Sequence, residues 1–224
     1  MKKIWRQRLL SALLSIFMVL AMTGVSVSVR TQAAENNSTV PSGTVKVHFL
    51  DVGQGLSILV QSDGKNLIYD GGDRKTSRFV VAYLKEQGVT KIDYLISSHY
   101  DADHMAGLIG CLKSFKVKNV ISSNYVHTSK LYRSFVKAVK EDGLKMKHPP
   151  VGKSYRLGSA SFQILAPETI EAEGSNNNSV AIKLTNKENS FIFTGDAEHE
   201  SDPVMPVEKF EQGHLHARIA LEHV

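Results

Sequence analysis

Short apolar runs, some alternating and some continuous, recur along this chain between segments whose apolar residues fall at helical spacing. Val45-Lys-Val-His-Phe49 alternates, which predicts a half-buried strand. Residues 56–60 and 67–69 are apolar runs on either side of the turn Ser62-Asp-Gly64 and predict a strand pair. Between residues 76 and 87, Phe79, Val80, Tyr83 and Leu84 recur at helical spacing, and Gly88 supplies a stop. Residues 92–97 read as a buried strand, 105–112 as a helix and 117–121 as a short strand; 130–142 form an amphipathic helix ended by Gly143. Beyond Pro149-Pro150 the pattern turns to strands at 161–165, 179–184 and 190–194, with a polar loop over 168–178. Strand pairs, then mixed elements, then strands predict an α+β arrangement of sheets covered by helices.

The start of the chain follows a different rule. Lys2, Lys3, Arg6 and Arg8 precede an almost wholly apolar stretch at 9–22, and Thr31-Gln-Ala33 offers small residues for cleavage. Those three regions predict a secretory signal peptide over residues 1–33. The apolar stretch, about 14 residues, is short for a membrane span, which needs about 20. An uncleaved anchor is the alternative, because 24–29 extends the apolar character. Either way the expected location is secreted or cell-envelope. Residues 34–43, rich in Ser and Asn, read as a linker; 44–200 carry the globular pattern, and 201–224 form a divergent tail.

Charge looks different once that leader is set aside. It holds five of the 27 Lys and Arg and no acid, leaving 22 basic against 22 acidic residues. Net charge is therefore no argument for nucleic acid. Its distribution is: residues 113–156 hold eleven Lys and Arg against only Glu141 and Asp142, with Tyr125, Tyr132 and Tyr155 interleaved. Such a segment suits a phosphate-rich partner or, equally, forms a solvated helical face. Cys111 is the only cysteine, which excludes an internal disulfide and leaves stability to an apolar core or a metal.

The chemistry concentrates in His99-Tyr-Asp-Ala-Asp-His104, where His99, Asp101, Asp103 and His104 follow a buried strand. Imidazole and carboxylate together suit zinc and other divalent ions. An Asp-rich turn capping the next helix is the simpler reading, but it leaves two flanking histidines unexplained. A second acid, Asp196, ends the last clear strand in Thr194-Gly-Asp196.

With these blocks in view the chain resembles the metallo-β-lactamase superfamily, in the branch that includes the soluble domain of bacterial competence (DNA-uptake) membrane proteins. The matching blocks are Phe49-Leu-Asp-Val-Gly-Gln-Gly55, Tyr69-Asp-Gly-Gly72, Ser98-His-Tyr-Asp-Ala-Asp-His104, and Asn177-Asn-Ser-Val180 leading to Phe193-Thr-Gly-Asp-Ala197. The resemblance implies an αββα fold, a four-layer β-sandwich flanked by helices, with metals at one edge. It also implies that His99 and Asp101 face one ion, Asp103 and His104 the other, and that Asp196 bridges them or binds the second. Asp101 stands where many members carry a second histidine, which makes manganese conceivable beside zinc. Asn178 lies where many members place a further histidine. Asp51 and Asp70 are expected to hold loops by hydrogen bonds. Leu56 replaces an acidic residue usual after Gly55.

After Glu200 the blocks no longer match, and His199, His214, His216 and His223 are poor ligand candidates. The resemblance there implies an incomplete C-terminal part, as in a truncated product. The expected activity is metal-dependent hydrolysis of phosphodiester or related ester bonds by water activated on a divalent ion, with Asp103 as the catalytic base. The alternatives are a non-catalytic metal-binding remnant of such a hydrolase and a DNA-binding module linked to DNA uptake.

Overall fold

The computed structural model describes residues 43–171, 175–197 and 217–218. The expected signal peptide, the linker up to residue 42, His199, His214, His216, His223 and the tail apart from 217–218 lie outside them. Elements are numbered in chain order. β1 (Val45–Phe49), β2 (Ile58–Ser62) and β3 (Lys65–Tyr69) form an antiparallel run. β5 (Tyr94–Ser97), β7 (Val120–Ser122) and β8 (Met146–Lys147) continue it in parallel, giving a six-stranded sheet ordered β1-β2-β3-β5-β7-β8. Parallel neighbours require long crossovers. The helices α1 (Ser77–Glu86), α2 (Ala102–Ser114) and α3 (Lys130–Glu141) supply them. β4 (Lys91–Ile92) and β6 (Lys116–Val117) make a small parallel pair.

β9 (Ser154–Leu157), β10 (Ala160–Ile164), β11 (Ile182–Asn186) and β12 (Asn189–Phe193) form an antiparallel second sheet. β13 (Ala217–Arg218) adds to β12 in parallel.

Side-chain alternation then separates two cores. Ile58, Val60, Leu67, Tyr69, Ile96 and Ile121 project from the first sheet against Leu157, Phe162, Ile164, Ile182, Leu184 and Phe193 of the second. Leu59, Ile68, Leu95 and Val120 project the other way, against Val80 and Leu84 of α1, Leu108 and Cys111 of α2, and Phe135 of α3. The central strands are therefore buried on both faces, which is why they read as continuous apolar runs. The second sheet has a wet outer face: Arg156 and Gln163 are exposed between buried Leu157, Phe162 and Ile164. This is the α+β sandwich the sequence predicts. Among the described residues it comprises a helix layer and two sheets.

Several boundaries differ from the sequence reading. β2 starts at Ile58 because the backbone of Leu56 is used elsewhere: its N–H donates to Asp103 O (3.3 Å) and its carbonyl accepts from Gly72 N (2.9 Å). The strand expected from residue 179 starts at Ile182, since Val180 N–H donates instead to Ser98 O (2.8 Å). The stretch 117–121 splits between β6 and β7, and the short polar strands β8 and β9 had no apolar signal. Most relevant to function, α2 begins at Ala102, three residues before the expected Met105.

Candidate metal centre

The early start of α2 divides the ligand segment. His99 leaves the C-terminal end of β5, Asp101 occupies the helix N-cap position, and Asp103 and His104 lie in the first helical turn. Asp101 carries extended backbone angles and its carbonyl accepts from His104 N (3.2 Å) and Met105 N (3.0 Å). Its carboxylate makes no capping hydrogen bond, so the capping account of this aspartate fails. Adjacent backbones hold the segment in place. Gly71 N–H donates to His104 O (2.7 Å), and Gly107 N–H donates to Gly72 O (2.9 Å). A Cβ on Gly107 would stand 1.7 Å from Gly71 O, so α2 can approach the β3 end only through glycine.

Three ligand atoms converge at this end of the sandwich. His99 and His104 are fully buried, and one atom from each, with a carboxylate oxygen of Asp196, all lie within 4.8 Å of one another. His104 Nε2 is 3.2 Å from Asp196 Oδ1, and the two imidazole centroids are 4.2 Å apart. Asp196 comes from the turn after β12, so the site joins both sheets. Asp101 and Asp103 stand at its border. Asp101 Oδ2 is 3.8 Å from His99 Nε2, and Asp103 Oδ2 is 4.0 Å from His104 Nε2.

Asp70 organises the group from behind. It is wholly buried at the end of β3 with a φ of +56°, a left-handed conformation uncommon outside glycine. Its carboxylate accepts from Ser98 N (2.7 Å), Ser98 Oγ (2.6 Å) and His104 Nδ1 (2.9 Å). A carboxylate is acceptor-only, so His104 donates from Nδ1 and Ser98 spends its hydroxyl proton on Asp70. Ser98 Oγ, 2.9 Å from His99 Nδ1, must then accept from that ring. One aspartate thus fixes both imidazoles with Nε2 turned toward the site, the arrangement that ligating histidines need. Ser179 Oγ, 3.3 Å from His99 Nδ1, braces the same ring.

Burial works against charge on His104, but hydrogen bonds to Asp196 and Asp70 outweigh it and push its pKa up to about 10. Burial and the neighbouring His104 hold His99 below the usual imidazole value. His99 Nε2 is a buried nitrogen with no hydrogen-bond partner. The orphaned Nε2 of His99, the Nε2 of His104 and the carboxylate of Asp196 make a donor set that fits a divalent ion. Donors about 2.0–2.2 Å from one tetrahedral zinc stand about 3.3–3.6 Å apart, so atoms spread over as much as 4.8 Å would draw together to hold it.

Asn178, buried on a 3-10 turn (Asn176–Asn178), has its carboxamide on the Glu171 backbone: Oδ1 accepts from Glu171 N (2.8 Å) and Nδ2 donates to Glu171 O (3.1 Å). It clasps the 168–178 loop. Asp51 Oδ1 accepts from Gly53 N (3.1 Å) within its own turn. Sequence reasoning did not find Ser98 and Ser179, or the double duty of Asp70. The Tyr69-Asp-Gly-Gly72 block marks where Asp70 sits, but only the parallel pairing of β3 and β5 brings it beside Ser98.

The description of the metallo-beta-lactamase superfamily matches residues 50–219. The chain belongs to that superfamily. "Recombination protein 2" of Haemophilus influenzae is 30% identical over 166 residues, covering 72% of this chain and 19% of that protein. "ComE operon protein 3" of Bacillus subtilis is 28% identical over 176 residues, covering 70% and 23%. "Competence protein ComA" of Neisseria gonorrhoeae is 38% identical over 69 residues, covering 30% of this chain and 10% of that protein, in agreement with the competence-related branch expected from the Phe49–Gly55 block. The chain spans about a fifth of the length of the curated relatives it matches. Among solved structures, a metallo-beta-lactamase of Cronobacter sakazakii with a HARLDQ motif aligns at 14% identity and a TM-score of 0.49, over 68% of this chain and 61% of that one.

Proposed function

We propose that this member of the metallo-β-lactamase superfamily is an exported, metal-dependent hydrolase of phosphodiester or related ester bonds. The observation that carries the reading is the convergence of His99 Nε2, His104 Nε2 and Asp196 on one point, with Asp101 and Asp103 at its edge. His99, His104 and Asp196 would hold the ion, with Asp101 and Asp103 completing one or two sites. Zinc suits the nitrogen donors, and the three carboxylates also admit manganese. A divalent ion held by these residues would supply the means to lower the pKa of water and to polarise a phosphoryl or carbonyl oxygen. Asp103, partly exposed in the first turn of α2, would orient the attacking water and take its proton. Asp70 and Ser98 keep both imidazoles in the ligating tautomer.

Phosphodiester is preferred because cationic groups lie close by. Tyr132 packs its ring on Tyr100, next to His99, with centroids 4.6 Å apart. From Tyr132 an open groove of about 570 Å³ runs along α3 past Arg133, Lys137 and Lys140, with Glu141, 3.6 Å from the Lys137 ammonium, as its one acid. The relatives' names, with their mention of recombination and competence, fit a nucleic-acid substrate. Export rests on the basic and apolar leader at residues 1–33; among the described residues no helix is long and apolar enough to cross a membrane.

The test is hydrolysis of bis(p-nitrophenyl) phosphate by purified protein supplied with zinc or manganese. The expected result is turnover that falls about 100-fold or more in His104→Ala, since loss of a ligand removes the ion. Wild-type turnover no higher than that of His104→Ala overturns the hydrolase reading. If the wild type then still bound metal, the protein would be a non-catalytic remnant. If it instead bound single-stranded DNA with affinity falling steeply as salt rises, it would be a nucleic-acid-binding module.

A further inference from the structure

A second cavity adjoins the candidate metal centre and has no part in the chemistry described so far. It is a cleft open to solvent of about 480 Å³, within the range of about 300–1,000 Å³ typical of small-ligand sites. Its walls come from two loops far apart in sequence. Tyr125, Val126 and His127 lie between β7 and α3; Ile170, Glu171 and Ser175 lie between β10 and β11. Val126 is 83% exposed and Ile170 41%, two of the four exposed large apolar side chains among the described residues, and both line this one cavity. Apolar surface left in water at the mouth of a cavity is what a ligand-binding wall looks like.

The polar groups restrict what enters. Glu171 brings a carboxylate, already accepting from Asn177 Nδ2 (3.1 Å), which repels a phosphate. His127 Nδ1 accepts from Ser129 N (3.2 Å), which leaves the ring proton on Nε2 as a donor. An anionic group is therefore disfavoured against this wall, and an occupant with apolar faces and both donors and acceptors at its edge matches it. Two contacts fix the cavity beside the ion site. Tyr125 Oη accepts from Tyr100 N (3.0 Å), between His99 and Asp101, and also pairs with Ser175 Oγ. Asn178, on the cavity wall, precedes Ser179, which braces His99.

We propose that this cavity seats a nucleobase flanking the phosphate held at the metal centre, stacked against Val126 and Ile170 and read at its edge by Glu171 and His127. The proposal rests on the phosphodiester reading and narrows it to nucleotide esters. A flat base supplies both the apolar faces and the mixed edge, and apolar side chains that sandwich a base are a recurrent mode of recognition.

Two measurements test it. The first compares thymidine 5′-(p-nitrophenyl phosphate) with its abasic deoxyribose counterpart, which has the same leaving group. The wild type should prefer the base-bearing ester in kcat/KM by about fivefold, the low end of what stacking a base on an aromatic side chain contributes. In the double variant Val126→Ser/Ile170→Ser that ratio should fall toward one. The second is calorimetric binding of thymidine 5′-monophosphate against deoxyribose 5-phosphate, which needs no turnover. The same preference and the same loss in the variant are expected. Equal binding of the two phosphates by the wild type, or a preference unchanged in the variant, overturns the cavity assignment. Absence of turnover with the binding preference intact would instead overturn the hydrolase reading and leave the base site standing.

Discussion

At the scale of single residues, Asp70 decides the most while touching the candidate ion site only through its neighbours. Its carboxylate sets the tautomer of His104 directly and that of His99 through Ser98. Asp70→Asn keeps the shape but presents an amide to three donors, leaving at least one of them unpaired. Outer partners of ligating histidines contribute about 10–100-fold in metal affinity. Zinc affinity measured by chelator competition should therefore fall by about that factor in Asp70→Asn, and an unchanged affinity would show that the histidines hold their orientation without it. The ligand types were legible because their chemistry resides in the side chains themselves: two histidines and two aspartates in six positions have few other uses. The support was not, because it depends on a left-handed backbone at Asp70 and on strand pairing that no local pattern reports.

Among the elements, α2 and the end of β3 form the pair on which the site is mounted. Apolar periodicity put the helix start at Met105, because Asp103 and His104 do not contribute to an apolar stripe. Hydrogen bonding starts it at Ala102, and so delivers both side chains from a rigid turn. The helix reaches that position only because Gly107 and Gly71 let two backbones meet. Gly107→Ala would force the helix away from the strand end. Overpacking of this kind costs about 1–3 kcal/mol, and the contact here is with backbone that cannot rotate aside. The denaturant midpoint should drop accordingly, with metal affinity falling in the same variant. A stability within about 0.5 kcal/mol of wild type, the range of a neutral surface change, would contradict the close packing.

Over the whole molecule, the site exists because two sheets face each other. His99, Asp101, Asp103 and His104 belong to the first sheet and its helix, whereas Asp196 ends β12 in the second. The strands of the first sheet were legible as apolar runs, and their burial on both faces explains the lack of alternation. The meeting of Asp196 with His104 followed from family resemblance rather than from pattern, since nothing local encodes how one sheet sits on another. The cavity beside the site was invisible for the same reason: Ile170 lies in the loop over 168–178 that reads as polar, Val126 in the basic segment 113–156, and nothing local brings the two together.

The most direct measurement is calorimetric titration of zinc into the purified, chelator-treated protein and into its His104→Ala and Asp196→Ala variants. The predicted result is at least one ion held per chain at micromolar or tighter affinity, weakened about tenfold or more by either substitution. A folded wild-type protein that takes up no zinc or manganese, or variants that bind as tightly as the wild type, would contradict the convergence of His99, His104 and Asp196 on a shared cation.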